Sequence, residues 1–411
     1  MKKYFFIKVT LLLLFGLWSI SCQREDRFEL EEEGTAITNF VSQSDALKVA
    51  ESFDFSKKQF NSSSGESKGS KKVVDILDFP ANSIETYYYL VNYEKGGFAI
   101  ISADNRLIPV LAFSETNSFA TEEKNYPGGL VDWLSAIIEV IKETRILNVE
   151  QTPEIKALWD KYSVENDTVK HGNSKSTMFD PSDCPYEGYT FYTSQQYGPL
   201  CSTQWGQEEP FNNYVEYLGC SNTSNGRAKT GCAATAMAQV MKYNAFPNSY
   251  NWGSMPNDSA NSEVMQLMLD CGDAVGMDYD CYNSTTSITN IPAALINSFN
   301  YTSASNASYS YTTVKNEIQN NHPVILHGWL NRWSVIGHTW VADGSLEIFY
   351  YQCVYNPFYQ EYELVNTVNY LYFNMNWGLS GTSNGWYAFN NFNPSFGTFN
   401  YQPKMTYNIR H

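Results

Sequence analysis

Charge divides this 411-residue chain near residue 180, and the division limits it to a two-part architecture. Residues 1–180 carry 20 Lys+Arg and 27 Asp+Glu, whereas the longer stretch 181–411 carries only 7 and 16. Asn, Ser, Tyr and Gly stand there instead. The junction from Glu165 to Met178 is polar and poor in apolar residues, as an exposed, cleavable linker should be. With 43% hydrophobic and 17% charged residues, most of the chain is expected to fold around an ample core. A net charge of −16 argues against a nucleic-acid partner and against docking on an anionic bilayer.

The first residues are basic, and an apolar stretch broken by Lys8 follows, ending at Ser21 and Cys22. This reads as a secretory signal, too short for a helix that must cross about 30 Å of hydrocarbon. No later segment offers the roughly 20 unbroken apolar residues of a spanning helix. Cys22, placed where cleavage should fall, resembles the lipobox cysteine of a bacterial lipoprotein. The alternative is an ordinary signal peptide cut nearby. The acidic run from Gln23 to Glu33 resembles the tether of surface lipoproteins. The expectation is an exported protein held at the outer membrane or cell surface through a lipid on Cys22, and retained there or released after maturation.

The first part mixes two periods. Ala46, Leu47, Val49, Ala50 and Phe53 recur at helical spacing, and Leu130 to Leu147 reads as a long amphipathic helix. Thr86–Asn92 and Gly97–Ala103 read as strands, and Asn61–Lys72 as a flexible surface loop. That is a small α+β unit. The second part opens with loops, has one clear helix from about Cys232 to Asn244, and ends in short aromatic strands at Val335–Ala342 and Asn369–Trp377.

The chemistry concentrates around Cys232. Gly231 permits a sharp entry, which puts Cys232 at the first turn of an Ala-rich helix with Met237, Val240 and Met241 on its buried stripe. The open N–H groups and positive dipole end there favour a thiolate and lower the thiol pKa. A thiolate is the nucleophile that peptide-bond cleavage needs. A buried structural Cys explains the same local sequence equally well. Cysteine parity adds a little: setting Cys22 aside leaves seven, so at least one stays unpaired, while six allow three disulfides in 15 connectivities.

A nucleophilic Cys needs a base, and there are five His. His171 lies in the junction and His411 is the last residue; His322 precedes Pro323, and His327 begins a Gly-Trp after a strand. His338 sits on a strand whose Ile336, His338, Trp340 and Ala342 share one face, and Gly337 beside it leaves room for a substrate backbone. A neutral imidazole there can take the thiol proton and later pass it to the leaving amine. A lone strand His is otherwise an ordinary core residue. No CxxC pair or HExxH helix points to a metal, and no cofactor is expected.

Four blocks in chain order carry a resemblance: Gly206–Asn212, Gly231–Tyr243, Gly337–Gly344, and Asn376-Trp377-Gly378. They resemble the signature segments of the streptopain family, papain-like cysteine peptidases made as zymogens. The stretch from Gly96 to Arg106 resembles that family's prodomain, so the likeness runs from about residue 40 to the C-terminus. It implies an α+β fold, with a papain-like two-subdomain catalytic domain preceded by a small α+β prodomain. It also implies Cys232 as nucleophile, His338 as general base and acid, Gln207 as an oxyanion donor, and Asn376 as the acceptor that orients the imidazole. Trp377 would shield that bond, and Gly337 and Thr285 would flank the substrate. The chain departs from the family pattern at Leu379, Ser380 and Gly381, at Asp280–Ser287, and in a longer insertion between Asp343 and Asn376.

The reading is therefore a cysteine endopeptidase zymogen. Residues 1–22 form a lipoprotein-type signal peptide, 23–180 an acidic tether and inhibitory prodomain, and 181–411 the peptidase. Its partners would be protein or peptide substrates, its own prodomain as intramolecular inhibitor, and a membrane through the anchor. Two rivals are a non-catalytic surface lipoprotein that binds peptides or glycans through its many Tyr and Trp, and an inactive relative of the peptidases.

Overall fold

A computed structural model describes residues 39–53, 55, 71–80, 85–122, 126–162, 184, 190–329, 337–389 and 403–411. The expected signal peptide, Cys22, the acidic tether, nearly all of the 61–72 loop and the junction at 165–178 lie outside these residues.

Helix α1 (Gln43–Ser52) starts where Ser42 accepts a hydrogen bond from the Asp45 amide, and it buries Ala46, Val49 and Ala50 at the spacing the sequence shows. Four antiparallel strands follow: β1 (Val73–Phe79), β2 (Tyr88–Tyr93), β3 (Phe98–Ser102) and β4 (Val110–Ser114). Every residue of β3 and β4 is buried, so these runs are apolar on both faces rather than alternating. The Asp104-Asn105-Arg106 turn after β3 closes on itself. The Asp104 carboxylate receives Arg106 and, from helix α2 (Gly128–Ile146), Arg145, at 2.7 and 3.3 Å. Helix α3 (Pro153–Asp160), capped by Thr152, completes this part.

The rest opens with β5 (Thr190–Tyr197) and long loops, then α4 (Cys232–Asn244), α5 (Ser262–Ala274), α6 (Asn290–Phe299), β6 (Ser303–Ser308) and α7 (Tyr311–Gln319). It closes with β7 (Val324–Trp329), β8 (Gly337–Asn356), β9 (Glu361–Asn376), β10 (Gly385–Ala388) and β11 (Lys404–Arg410). β8 and β9 are far longer than the short strands expected from sequence, because the insertion between them extends one continuous hairpin. β5 pairs along its outer half, and the Cys184–Cys353 disulfide fastens it.

One sheet crosses both parts, in the order β1-β2-β3-β4-β10-β9-β8-β7-β11-β6. The seam is β4 against β10, with Phe113 opposite Trp386 and Ala112 opposite Tyr387. Two cores flank its centre. On one side Val324, Leu326, Trp340 and Ala342 join the core of the first part. On the other, Ile325 and Val341 join α4, α5 and α6. The alternation of β7 and β8 thus sorts their residues between two environments.

Candidate active site

Gly231 enters α4 at φ +85°, and a Cβ there would fall 2.6 Å from the Met277 side chain, so only glycine makes this entry. The helix behind it is Ala-rich because Ala233 to Met241 are all buried. Cys232 is left half-buried on a cleft of about 200 Å³, whose walls are the hydroxyl run Ser284–Ser287, His327, Gly337 and Thr339.

Cys201, Cys232 and Cys271 are the free thiols among the described residues, and Cys184–Cys353 and Cys220–Cys281 are paired. The three free thiols meet the minimum of one that parity sets, and parity does not say which of them reacts. Burial rather than parity separates them, since Cys201 and Cys271 are enclosed and only Cys232 meets the cleft.

The thiol pKa is not lowered, as its helical position suggests, but raised. Burial outweighs the bonds offered to sulfur by the Thr339 amide and hydroxyl and by the amides of Ala233 and Cys232. The partner at the sulfur is thus Thr339, not His338. Thr339 also shares a 2.7 Å hydrogen bond with Nδ1 of His327. Neither residue stands out in the sequence; the available signal is that Thr339 is one strand position from His338, hence on the opposite face.

His338 points away from the cleft. Its ring lies parallel to Trp340, centroids 6.1 Å apart, and is buried beside Trp377. Nε2 lies 2.8 Å from the Trp377 carbonyl. A carbonyl only accepts, so Nε2 carries the proton and Nδ1 is the basic nitrogen. Burial lowers the imidazole pKa to about 4, against the opposing pull of that carbonyl. The expected Asn376–His338 bond is absent. Asn376 donates instead to the Thr203 carbonyl at 2.7 Å and accepts from the Gly378 amide at 3.2 Å, so it shapes the turn that presents the Trp377 carbonyl.

The other expected residues are dispersed around this centre. Gln207 is half-buried, and its carbonyl receives the Thr230 amide just before α4. Trp377 is enclosed and donates to the Ser383 carbonyl. Thr285 lies on the cleft wall, its backbone paired with Asp278. A Cβ on Gly337 would sit 2.8 Å from the His327 ring. Burial raises the thiol and lowers the imidazole, and both shifts oppose a thiolate–imidazolium pair in this arrangement.

The first part covers the face on which His338 lies. α2 packs on β7 and β8, with Gly129 so close that a Cβ would fall 2.4 Å from the Trp340 ring. Trp133 donates to the Ala388 carbonyl at 2.9 Å and meets Tyr387 edge-on. Burial on this seat raises the Asp132 carboxyl to about 6. A released α2 lets it return towards 3.8, so the seated state holds the proton more tightly. Seating is accordingly favoured at low pH and weakens as pH rises from 4 through 6. Asp132→Asn is expected to stabilise the precursor at pH 7.5 by about 1 kcal/mol, after discounting for partial exposure, with no gain at pH 4. Thermal unfolding at both pH values measures this; an equal gain at pH 4 would remove the electrostatic cause.

Two sequence families tile the chain in the order these structural parts suggest. The Peptidase C10 family matches residues 205–251 and 244–387, and the Spi protease inhibitor family matches 38–141. Over these segments the chain is similar to the streptopain family of cysteine peptidases. Streptopain of Streptococcus pyogenes is 24% identical over 422 residues, covering 90% of this chain and 86% of that one. The thiol protease/hemagglutinin PrtT of Porphyromonas gingivalis is 26% identical over 403 residues, covering 87% of this chain and 40% of that one. The fold is similar to a prointerpain A fragment from Prevotella intermedia, with TM-score 0.51 and 24% identity over 82% of this chain and 99% of that one. The chain is a cysteine-type peptidase with an inhibitor-like prodomain, and its α+β architecture is the expected one. Within the described residues, the inhibitor match contains α1, β1–β4 and most of α2, and the peptidase match contains Cys232, His338 and Asn376.

Proposed function

We propose that the chain is an endopeptidase precursor, exported and tethered through a lipid on Cys22, in which residues 23–180 hold the peptidase of 181–411 latent. The observation that carries this is the seating of α2 over Trp340, on the face where His338 is confined while Cys232 waits on the other. Consecutive side chains alternate across a strand, so side-chain rotation alone does not carry the imidazole to the sulfur. The backbone at Gly337 must turn once α2 leaves.

In the released enzyme Nδ1 of His338 takes the thiol proton, and the thiolate attacks the scissile carbonyl carbon. The oxyanion that forms receives the Cys232 amide and the Gln207 side-chain N–H, a donor worth roughly 2.7–4 kcal/mol in the transition state. The imidazolium protonates the leaving amine, and a thioester remains. Water then attacks it, with His338 taking the water proton and returning it to sulfur. Asn376 orients the turned imidazole, Trp377 shields that bond, and Gly337 and Thr285 border the substrate. The reaction uses no cofactor. Digestion of a denatured protein in the presence of reductant tests the reading, with Cys232→Ala as control. Cleavage that persists in the control would refute it.

A further inference from the structure

Asp343 lies on β8, five residues beyond His338, and is 1% exposed. One carboxylate oxygen, Oδ2, accepts from the Cys201 amide at 2.9 Å, and its main-chain carbonyl accepts from the Leu200 amide at 2.8 Å. Gly198 makes this approach possible at φ +73°, since a Cβ there would meet the Asp343 carbonyl at 2.4 Å. The segment pinned in this way leads directly to the oxyanion side of the site. Thr203 and the Trp205 amide both donate to Oε1 of Gln239 on α4, and the Thr203 carbonyl receives Asn376. The segment ends at Gln207, tied to Thr230. Oδ1 of Asp343 and Nε2 of Gln239 are both buried without a hydrogen-bond partner, so this node is incompletely satisfied where it meets the helix that carries Cys232.

We propose that Asp343 is a positioning residue for peptide hydrolysis: by holding the Cys201 amide it fixes the segment 200–207 and thereby sets where Gln207 and Asn376 stand relative to Cys232. This rests on the hydrolytic reading above. Burial raises the carboxyl to about 7, against the amides of Cys201, Asp343 and Leu200. The titratable groups around it are the Cys201 thiol, pushed well up by burial and by the Asp343 charge, and the Tyr243 phenol, raised first by burial. Ionisation strengthens the bond to Cys201, because a charged acceptor holds an N–H more tightly than a neutral one. The segment is therefore held best above neutral pH.

The test is steady-state hydrolysis of a small chromogenic peptide by matured enzyme, comparing Asp343→Ala and Asp343→Asn with the parent between pH 5 and 9. Asp343→Ala should lower kcat about tenfold or more, because a displaced oxyanion donor acts only in the transition state, with KM within about twofold. Asp343→Asn keeps an oxygen for the Cys201 amide, so it should recover most of kcat and lose an inflection near pH 7 that the parent shows. If Asp343→Ala is too unstable to assay, the lost inflection in Asp343→Asn decides. Parental kcat in Asp343→Ala, or a parental pH profile in Asp343→Asn, would overturn the proposal while leaving the peptidase reading intact. Parent activity that survives Cys232→Ala would overturn both.

Discussion

Cys232→Ala and His338→Ala, each processed in trans by active enzyme, are expected to lower kcat/KM for a peptide substrate by at least about 10⁴-fold, and the double variant little further. The sulfur supplies the bond-forming electrons and the imidazole supplies and removes the proton. Either loss therefore stops the same step, and the two effects do not add. What remains would come from substrate binding and the oxyanion donors. Both variants should fold. Cys232 is half-exposed at a helix start, and the His338 ring leaves a cavity beside Trp340 and Trp377 rather than an unpaired charge, since burial already keeps it neutral. A His338→Ala enzyme retaining a tenth of the activity would transfer the base to another group, and His327 in the cleft wall is the one at hand.

The second large effect is loss of latency in Gly129→Leu. Leucine is a far better helix former than glycine, so α2 itself gains roughly 0.8 kcal/mol. The new side chain nevertheless begins 2.4 Å from the Trp340 ring, and the seat must give way. Overpacking of this kind costs about 1–3 kcal/mol, which raises the population of the released state by roughly 5- to 150-fold. The precursor should then react with a thiol-directed covalent inhibitor at a rate increased by a similar factor, while its far-ultraviolet circular dichroism stays unchanged. A folded Gly129→Leu precursor as unreactive as its parent would show that α2 does not restrain the site.

Local elements were legible because their signals are local. Gly231 followed by an Ala-rich, Met-striped run marks α4 from Cys232 to Asn244, and the spacing of Ala46, Val49 and Ala50 marks α1. The face shared by His338, Trp340 and Ala342 was also readable from alternation. What alternation does not say is which core each face meets. Val341 goes to the side of α4, and Trp340 goes to the prodomain side because Gly129 lets α2 close on it. That choice depends on contacts some 200 residues apart in the chain, as does the pairing of β4 with β10. The thiol pKa went the opposite way for a related reason. Helix position is written in the sequence, whereas the burial that outweighs it arises from β8 packing across α4. The role given to Asn376 likewise depended on a turn whose shape only the fold reveals.

The rate of Cys232 alkylation by iodoacetamide against pH, in the precursor and after maturation, asks whether release of α2 pairs this sulfur with the His338 ring. The precursor should show one ionisation above the ordinary thiol range. The matured protein should react measurably well below pH 7, and His338→Ala should abolish that acidic reactivity. Identical profiles before and after maturation, or acidic reactivity that persists without His338, would contradict the account.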